Sequence, residues 1–172
     1  MRWIAWVLLA ALAVSLQTTL AGRVEIGPIR PDWPFLLVVA LALTAPVTEA
    51  LYAAVIIGAF VDLSSVIPFG TFTFPYGLAA FLIVRVRELL FRNRLVTYTA
   101  VTLLAGSLVQ LLIALFRPFQ EGAGQYDGSL FLEAVGITLY TVAWSVPAHW
   151  LFLKSRRLFG FAPRRRTGMA RL

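Results

Sequence analysis

The sequence predicts an all-α integral membrane protein with six transmembrane helices in one compact bundle. Of the 172 residues, 60% are apolar and the mean hydropathy is +0.84, which lies outside the range of ordinary soluble domains. The apolar residues form runs of about 20, the length that a helix needs to cross a hydrocarbon core of roughly 30 Å. The Lys and Arg residues fall between and after these runs.

The first span is predicted at about residues 3–21, directly after Arg2. The same run could be a cleavable signal peptide, because a basic start precedes an apolar stretch and small residues lie near Ala21. However, the run is longer than a usual signal-peptide core, and no clean small-x-small cleavage site follows it. We therefore expect the first span to remain in the protein as a membrane helix.

Residues 34–63 form an apolar stretch that would make a helix of about 45 Å if it were continuous. Such a helix would place Pro46 and Glu49 in mid-membrane, where a charge costs at least a few kcal/mol. We therefore predict two spans, at about 31–46 and 49–66, joined by a tight turn in the sequence "TAPVTE".

Three further apolar runs complete the predicted bundle. They correspond to spans at about 72–88, 95–116 and 130–154. Residues 1–158 would thus form one transmembrane domain, followed by a basic tail at 159–172 that we expect to be disordered.

The distribution of positive charge predicts that both termini are cytoplasmic. In this orientation all of the 15 Lys and Arg residues lie inside except Arg23, Arg30 and Arg117. A five-span arrangement with the N-terminus outside would leave only Arg2 and Arg117 outside, so charge alone fixes only the C-terminal half. Anionic lipids are expected to attract the basic cytoplasmic segments.

The composition offers little for catalysis or for metal and cofactor binding. The chain has no cysteine and a single histidine, and no nucleophile with a base at suitable spacing is evident. We therefore expect no enzymatic activity, no metal and no cofactor. The net charge of +7 is explained by membrane topology, so we expect no nucleic-acid partner.

Two stripes of residues at spacings of four predict close helix packing. Small residues on one helix face let two helices approach closely in a lipid environment. Asp62 ends the first stripe. Two interpretations are open for it: a functional acid that faces a partner or a cavity, or an acid that only lies in the outer headgroup region of the membrane. The predicted packing residues are Ala50 and Ala54 with Gly58 on the third span, and Gly106 and Gln110 with Thr102 on the fifth.

The stretch "IRPDWP" predicts the start of a helix. Pro31 and Pro34 suit a first helical turn, Asp32 suits an N-cap position, and Trp33 suits the interfacial aromatic belt. Arg30 has no role in capping, and we expect it to bind or pair with another group. The nearby loop "SSVIPFGTFTFPYG" is apolar and either folds over the bundle mouth, re-enters the membrane surface or receives another protein.

These motifs together resemble the MreD family of rod shape-determining membrane proteins. The resemblance rests on "IRPDWPFLLVV", an apolar hairpin, "GAFVDL", "PFG" and "LLFRN", in this order over about residues 3–155. The phenylalanine-rich entry to the fourth span and Gln110, where an acid would be unsurprising, depart from the family pattern.

The resemblance implies a non-catalytic scaffold of the bacterial rod complex in the inner membrane. Its implied partners are MreC and, through MreC, the glycosyltransferase RodA, a class B penicillin-binding transpeptidase and the MreB filament. The resemblance also implies a fold similar to the substrate-binding subunits of vitamin-uptake (energy-coupling factor) transporters. The alternative function is therefore a ligand-binding or transport subunit, using an outward-facing pocket for a small or lipid-like molecule.

The resemblance further implies which residues line or brace the outer side, as a pocket or a partner contact. We also expect Arg30 and Asp62 to lie near each other there, because both fall at outer helix ends. The candidates are Arg30, Pro31, Asp32, Trp33, Gly58, Asp62, Pro68 and Gly70.

Overall fold

The structure, a computed structural model, describes residues 3–25, 29–87, 94–121 and 128–155. Its elements are six α-helices, which confirms the all-α prediction for these ranges. The predicted tail at 159–172 lies outside the described residues. The helices are α1 (Trp3–Val24), α2 (Trp33–Thr44), α3 (Val47–Ser64), α4 (Thr73–Val86), α5 (Arg94–Glu121) and α6 (Gly128–Ser155).

The predicted break in the apolar stretch 34–63 is present. Helix α2 ends at Thr44 and α3 begins at Val47, with Pro46 as its N-cap residue. Proline lacks a backbone N–H and disfavours a helical conformation at the preceding residue, so Ala45 adopts an extended conformation and the chain reverses. The structure therefore has six helices where the alternative would have had five.

Helix lengths differ widely within the bundle. Three segments are long and apolar enough to cross a membrane: Val47–Ser64, Val96–Phe116 and Phe131–Leu151. Helix α1, with 22 residues, also has the length of a span. By contrast, α2 and α4 have only 12 and 14 residues, shorter than the predicted spans.

Helix α2 is the centre of the bundle and contacts all five other helices. The others surround it in the order α1, α3, α4, α5, α6, each packed against the next up to α6. Eight of the 12 side chains of α2 are buried, and they lie on every face of the helix. A helix that is apolar all round belongs in a core, which explains why the shortest span is central.

The predicted packing stripe on α3 is buried as expected. Ala50 and Ala54 are almost fully enclosed, and Gly58 lies against the start of α4. A Cβ at position 58 would stand 2.6 Å from the Cα of Thr73, so only glycine permits this approach. The hydrogen atom in place of a side chain therefore sets the distance between α3 and α4.

The predicted stripe on α5 is confirmed in part. Thr102 is fully buried, and a Cβ at Gly106 would make ordinary contacts with Phe35 of α2 and Thr138 of α6. Gln110, expected to be a buried amide, is only half-buried.

Arg87 closes the other end of α2. Its Nη1 donates hydrogen bonds to the carbonyl oxygens of Ala42 (3.0 Å) and Ala45 (2.6 Å). The last carbonyls of a helix have no partner within the helix and carry partial negative charge, so a guanidinium is well suited to them. The charge that sequence analysis assigned to topology therefore also stabilises the central helix.

Gly58→Ala should destabilise the protein by about 1–3 kcal/mol, because the added methyl group collides with backbone that cannot move independently. Gly77→Ala is the matched control, since its Cβ would meet Val55 at an ordinary 3.6 Å. Unfolding in mixed detergent–SDS micelles, followed by circular dichroism, measures both. Equal stability of the two variants would contradict the close α3–α4 approach.

Arg87→Met should cost about 1.5–3 kcal/mol, because two carbonyls of α2 lose a charged donor. Arg85→Met removes the same charge two residues away, where the guanidinium lies exposed over the ring of Phe81, and should cost at most about 1 kcal/mol. The same unfolding measurement compares them. If both variants lost the same free energy of unfolding, Arg87 would contribute only to membrane topology and not to the stability of α2.

Candidate functional site at the outer end of the bundle

Most of the candidate residues lie at one end of the bundle, where α1 and α3 end and α2 and α4 begin. We call this the outer end, because the charge distribution predicts that it faces away from the cytoplasm. Two buried carboxylates organise it: Asp32 precedes α2, and Asp62 lies in the last turn of α3.

Asp32 is the N-cap of α2, as the sequence predicted. Its Oδ1 accepts a hydrogen bond from the backbone N–H of Phe35 at 3.0 Å, and Pro34 occupies the first turn. The hydroxyl of Tyr76, from α4, donates to the same carboxylate, with distances of 2.6 and 2.7 Å to its two oxygens. The positive end of the α2 dipole also favours a carboxylate here.

The backbone beside this carboxylate joins two more helices. The N–H of Asp32 donates to Thr141 Oγ1 of α6 at 3.0 Å. The N–H of Trp33 donates to Gln17 Oε1 of α1 at 3.1 Å. Because these first N–H groups of α2 have no partner within the helix, α1 and α6 supply the missing acceptors. One helix start therefore links α1, α2, α4 and α6.

Aromatic side chains fill the space around this junction. Trp33 packs against Trp144 of α6, with ring centroids 4.8 Å apart. Tyr76 contacts Phe35 at 5.7 Å and Phe72 at 5.9 Å. Trp33 is half-buried in these contacts, so it packs helices together in addition to any role in the expected interfacial belt.

Asp62 holds the loop between α3 and α4. Its carboxylate accepts hydrogen bonds from the N–H groups of Gly70 (2.9 Å), Phe72 (2.8 Å) and Thr73 (3.0 Å), and from the hydroxyl of Thr73 (2.5 Å). Only 3% of the residue is exposed. Of the roles left open by the sequence, the structure therefore shows Asp62 as an acceptor for the start of α4.

Arg30 and Asp62, which we expected to lie near each other, each bond a different group. The Nε of Arg30 lies 2.8 Å from Glu25 Oε2, so its partner is an acid five positions earlier in the chain. Asp62 is occupied by the α3–α4 loop. Sequence reasoning missed the Glu25 pairing because it asked which distant helix end carried the opposite charge.

The remaining candidates divide into buried and exposed positions. Pro31 is buried beside Asp32. Gly70 has φ +104°, a conformation that side chains rarely adopt, and this turns its N–H toward Asp62. Pro68 and Arg30 are exposed. The exposed positions are accessible to another molecule, whereas the other positions pack or bond within the protein.

Sequence reasoning missed the residues that bind the two acids from other helices. Tyr76, Thr141 and Gln17 have no motif, but each is a polar side chain inside an apolar span. Such groups need a partner when buried, so a search for polar residues at outer helix ends would have found them. Their pairing with particular backbone groups depends on the packing.

The chemistry available at the outer end is that of a structural junction. Both carboxylates accept several hydrogen bonds from protein groups. Among the described residues, no group of three His, Cys, Asp or Glu side chains is placed to hold a metal ion.

A comparison with protein families identifies the chain. The family model for the rod shape-determining protein MreD matches residues 1–123. The chain belongs to the MreD family. Searches of curated proteins and of solved structures found no significant match. MreD membership agrees with the resemblance seen in the sequence, and it assigns the protein a role in determining rod shape.

Tyr76→Phe should destabilise the protein by about 1.5–3 kcal/mol, because it removes the hydroxyl that bonds a buried carboxylate. Tyr140→Phe is the matched comparison: its hydroxyl donates to the neutral Val24 carbonyl at 2.6 Å, and its loss should cost about 0.5–1.5 kcal/mol. Unfolding in mixed micelles ranks the two. A smaller loss at Tyr76 than at Tyr140 would contradict the central role of Asp32.

Proposed function

We propose that this protein is a non-catalytic membrane scaffold of the bacterial rod complex, and that it binds MreC. Through MreC it would act with RodA, a class B penicillin-binding transpeptidase and MreB in controlling peptidoglycan synthesis. It would lie in the inner membrane with both termini in the cytoplasm, where anionic lipids contact its basic segments. The family match supports the general role in rod shape.

The observation that carries the scaffold interpretation is the bonding of the two buried acids. A transport subunit that couples to ions needs ionisable groups that exchange partners within the membrane. Here Asp32 accepts from Phe35 and Tyr76, while Asp62 accepts from four donors in the loop and α4. Acids whose hydrogen bonds are all made to protein groups favour a structural role over ion-coupled transport.

Arg30 is our candidate for the contact with MreC. Its side chain is 60% exposed although it pairs with Glu25, and it lies two residues before Asp32, the N-cap of α2. An exposed guanidinium can donate several hydrogen bonds to a partner, and arginine is enriched at protein interfaces. The buried candidates, such as Gly58 and Asp62, would support this surface without touching the partner.

Affinity purification in mild detergent from the native membrane, with mass spectrometry of proteins and small molecules, tests the proposal. We expect MreC to be recovered with the wild-type protein. Arg30→Glu should lower its recovery about tenfold, which corresponds to about 1.4 kcal/mol. Arg23→Glu is the matched control, because it makes the same charge change at an exposed position in the last turn of α1.

One result would contradict the scaffold proposal, and a second would contradict the role of Arg30. A stoichiometric small molecule recovered without MreC would favour a ligand-binding subunit. MreC recovered equally with the wild type, Arg30→Glu and Arg23→Glu would retain the scaffold but place its contact elsewhere.

A further inference from the structure

The side chain of Asp32 is buried at the outer end of the bundle without a cationic partner. Only 9% of the residue is exposed. Among the described residues no Lys, Arg or His side chain forms an ion pair with it, and Arg30, two positions earlier, bonds Glu25. An ionised carboxylate is far more costly to bury than a neutral carboxylic acid. The surroundings of Asp32 therefore favour the neutral form.

Asp32 also has few hydrogen-bond donors for an ionised acid. A carboxylate has room for about four hydrogen bonds, but only the N–H of Phe35 and the hydroxyl of Tyr76 reach this one. The adjacent N–H groups at the start of α2 donate to neutral oxygens of α1 and α6. The start of a helix favours negative charge, but here a single backbone donor reaches the carboxyl group.

Asp62, which is buried to a similar degree, has the bonding of an ionised carboxylate. Its two oxygens accept from the N–H groups of Gly70, Phe72 and Thr73 and from the hydroxyl of Thr73. Several donors directed at a carboxyl group stabilise its charged form. The two acids of the outer end therefore differ in the number of donors that reach them, and this difference provides an internal control.

The contact between Asp32 and Tyr76 has the geometry of two exchanged hydrogen bonds. The hydroxyl oxygen of Tyr76 lies 2.6 Å from Oδ1 and 2.7 Å from Oδ2 of the acid. A tyrosine hydroxyl has one hydrogen, which cannot make a full bond to both oxygens. In a neutral acid, the hydrogen on Oδ2 bonds the tyrosine oxygen while the tyrosine hydroxyl bonds Oδ1. Both short contacts are then full hydrogen bonds.

The other polar groups near this pair do not supply a positive charge. Asp62 lies close enough to Tyr76 to interact with it electrostatically, and a second negative charge nearby further disfavours ionisation of Asp32. In the part of the chain that the structure describes, the polar side chains that face this region are Gln17 of α1, Asp62 of α3, Tyr76 of α4, Tyr98 of α5 and Thr141 of α6.

We propose that Asp32 and Tyr76 form a proton-dependent switch at the junction of α1, α2, α4 and α6. With its proton, Asp32 is a neutral acid that both donates to Tyr76 and accepts from it. When the proton passes to water, one of these two hydrogen bonds is lost and a negative charge is left among apolar helices, so the junction weakens. This inference concerns the stability of the outer end and does not depend on the binding of MreC.

The direction of the pH dependence follows from the protonation states. In the unfolded chain Asp32 ionises as an ordinary aspartate, so unfolding at mildly acidic pH releases the proton that the folded protein holds. Stability is therefore highest at mildly acidic pH and falls as the pH rises, by up to about tenfold in the folding equilibrium constant per pH unit. The fall ends once Asp32 is ionised in the folded protein as well.

Asparagine tests the protonation state because its amide has the shape of a neutral carboxylic acid. In Asp32→Asn the carbonyl oxygen can accept from Phe35 and Tyr76 while the amide donates to the tyrosine oxygen. At mildly acidic pH its folding equilibrium constant should stay within about twofold of wild type. Asp62→Asn is the matched control: its amide would face N–H donors, and its folding equilibrium constant should fall about tenfold or more.

Two measurements compare these variants with the wild type. Unfolding in mixed detergent–SDS micelles from mildly acidic to mildly alkaline pH should show a loss of stability several-fold larger in the wild type than in Asp32→Asn. Infrared spectra in phosphatidylcholine–phosphatidylglycerol vesicles should show the C=O stretch of a neutral acid at mildly acidic pH. This band should disappear at alkaline pH, be absent from Asp32→Asn and shift in Tyr76→Phe, because the carbonyl then loses a hydrogen bond.

Three results would overturn the proposal. The first is an equal pH dependence of stability in the wild type and in Asp32→Asn. The second is a loss of stability in Asp32→Asn as large as that in Asp62→Asn, or its failure to fold, because the amide would then not fit where the acid does. The third is the absence of the infrared band from the wild type at mildly acidic pH, which would mean that Asp32 is ionised throughout.

Discussion

The hydrogen bonds at the start of α2 are the constraint on which the rest of this structure depends. Asp32 caps the central helix, and its carboxylate accepts a hydrogen bond from the hydroxyl of Tyr76. The adjacent backbone N–H groups donate to the side chains of Thr141 and Gln17. Four helices therefore share one junction. A carboxylate enclosed in an apolar bundle is costly unless it is fully bonded, so removing any one partner leaves an expensive group behind. Arg87 completes the arrangement at the opposite end, where it bonds the last carbonyls of the same helix.

The shortness of α2 and α4 follows from this arrangement and shapes the outer end. A fully enclosed helix of 12 residues needs no contact with either membrane surface, because Asp32 and Arg87 satisfy its two ends. Asp62 has the corresponding role at the start of α4. Its carboxylate accepts hydrogen bonds from the N–H groups of Thr73, the first residue of α4, and of Phe72, which precedes it. Side-chain acceptors thus take the place of water at both helix starts.

Membership of the MreD family supports a role in rod shape, and the bonding of the two acids is the observation behind our scaffold proposal. A scaffold needs a surface whose geometry persists, and the outer end is built from bonds that link separate helices. The exposed guanidinium of Arg30 and the exposed loop at Val66 and Phe69 are different surfaces in chemical terms. The first is charged, whereas the second is apolar.

The sequence by itself determined the fold class, the break at Pro46, the helix cap at Asp32, the burial of the small-residue stripe on α3 and the family. These features depend on local chemistry: apolar run length, proline, capping residues and residue spacing are all legible along one chain. Only the tertiary structure decided that α2 is central, that Tyr76 and Thr141 meet at Asp32, that Asp62 serves the loop and that Arg30 pairs with Glu25. Those contacts join residues up to 109 positions apart or choose among several possible partners. Which partner a buried polar group bonds is settled by how the helices pack, and the packing depends on all six helices at once.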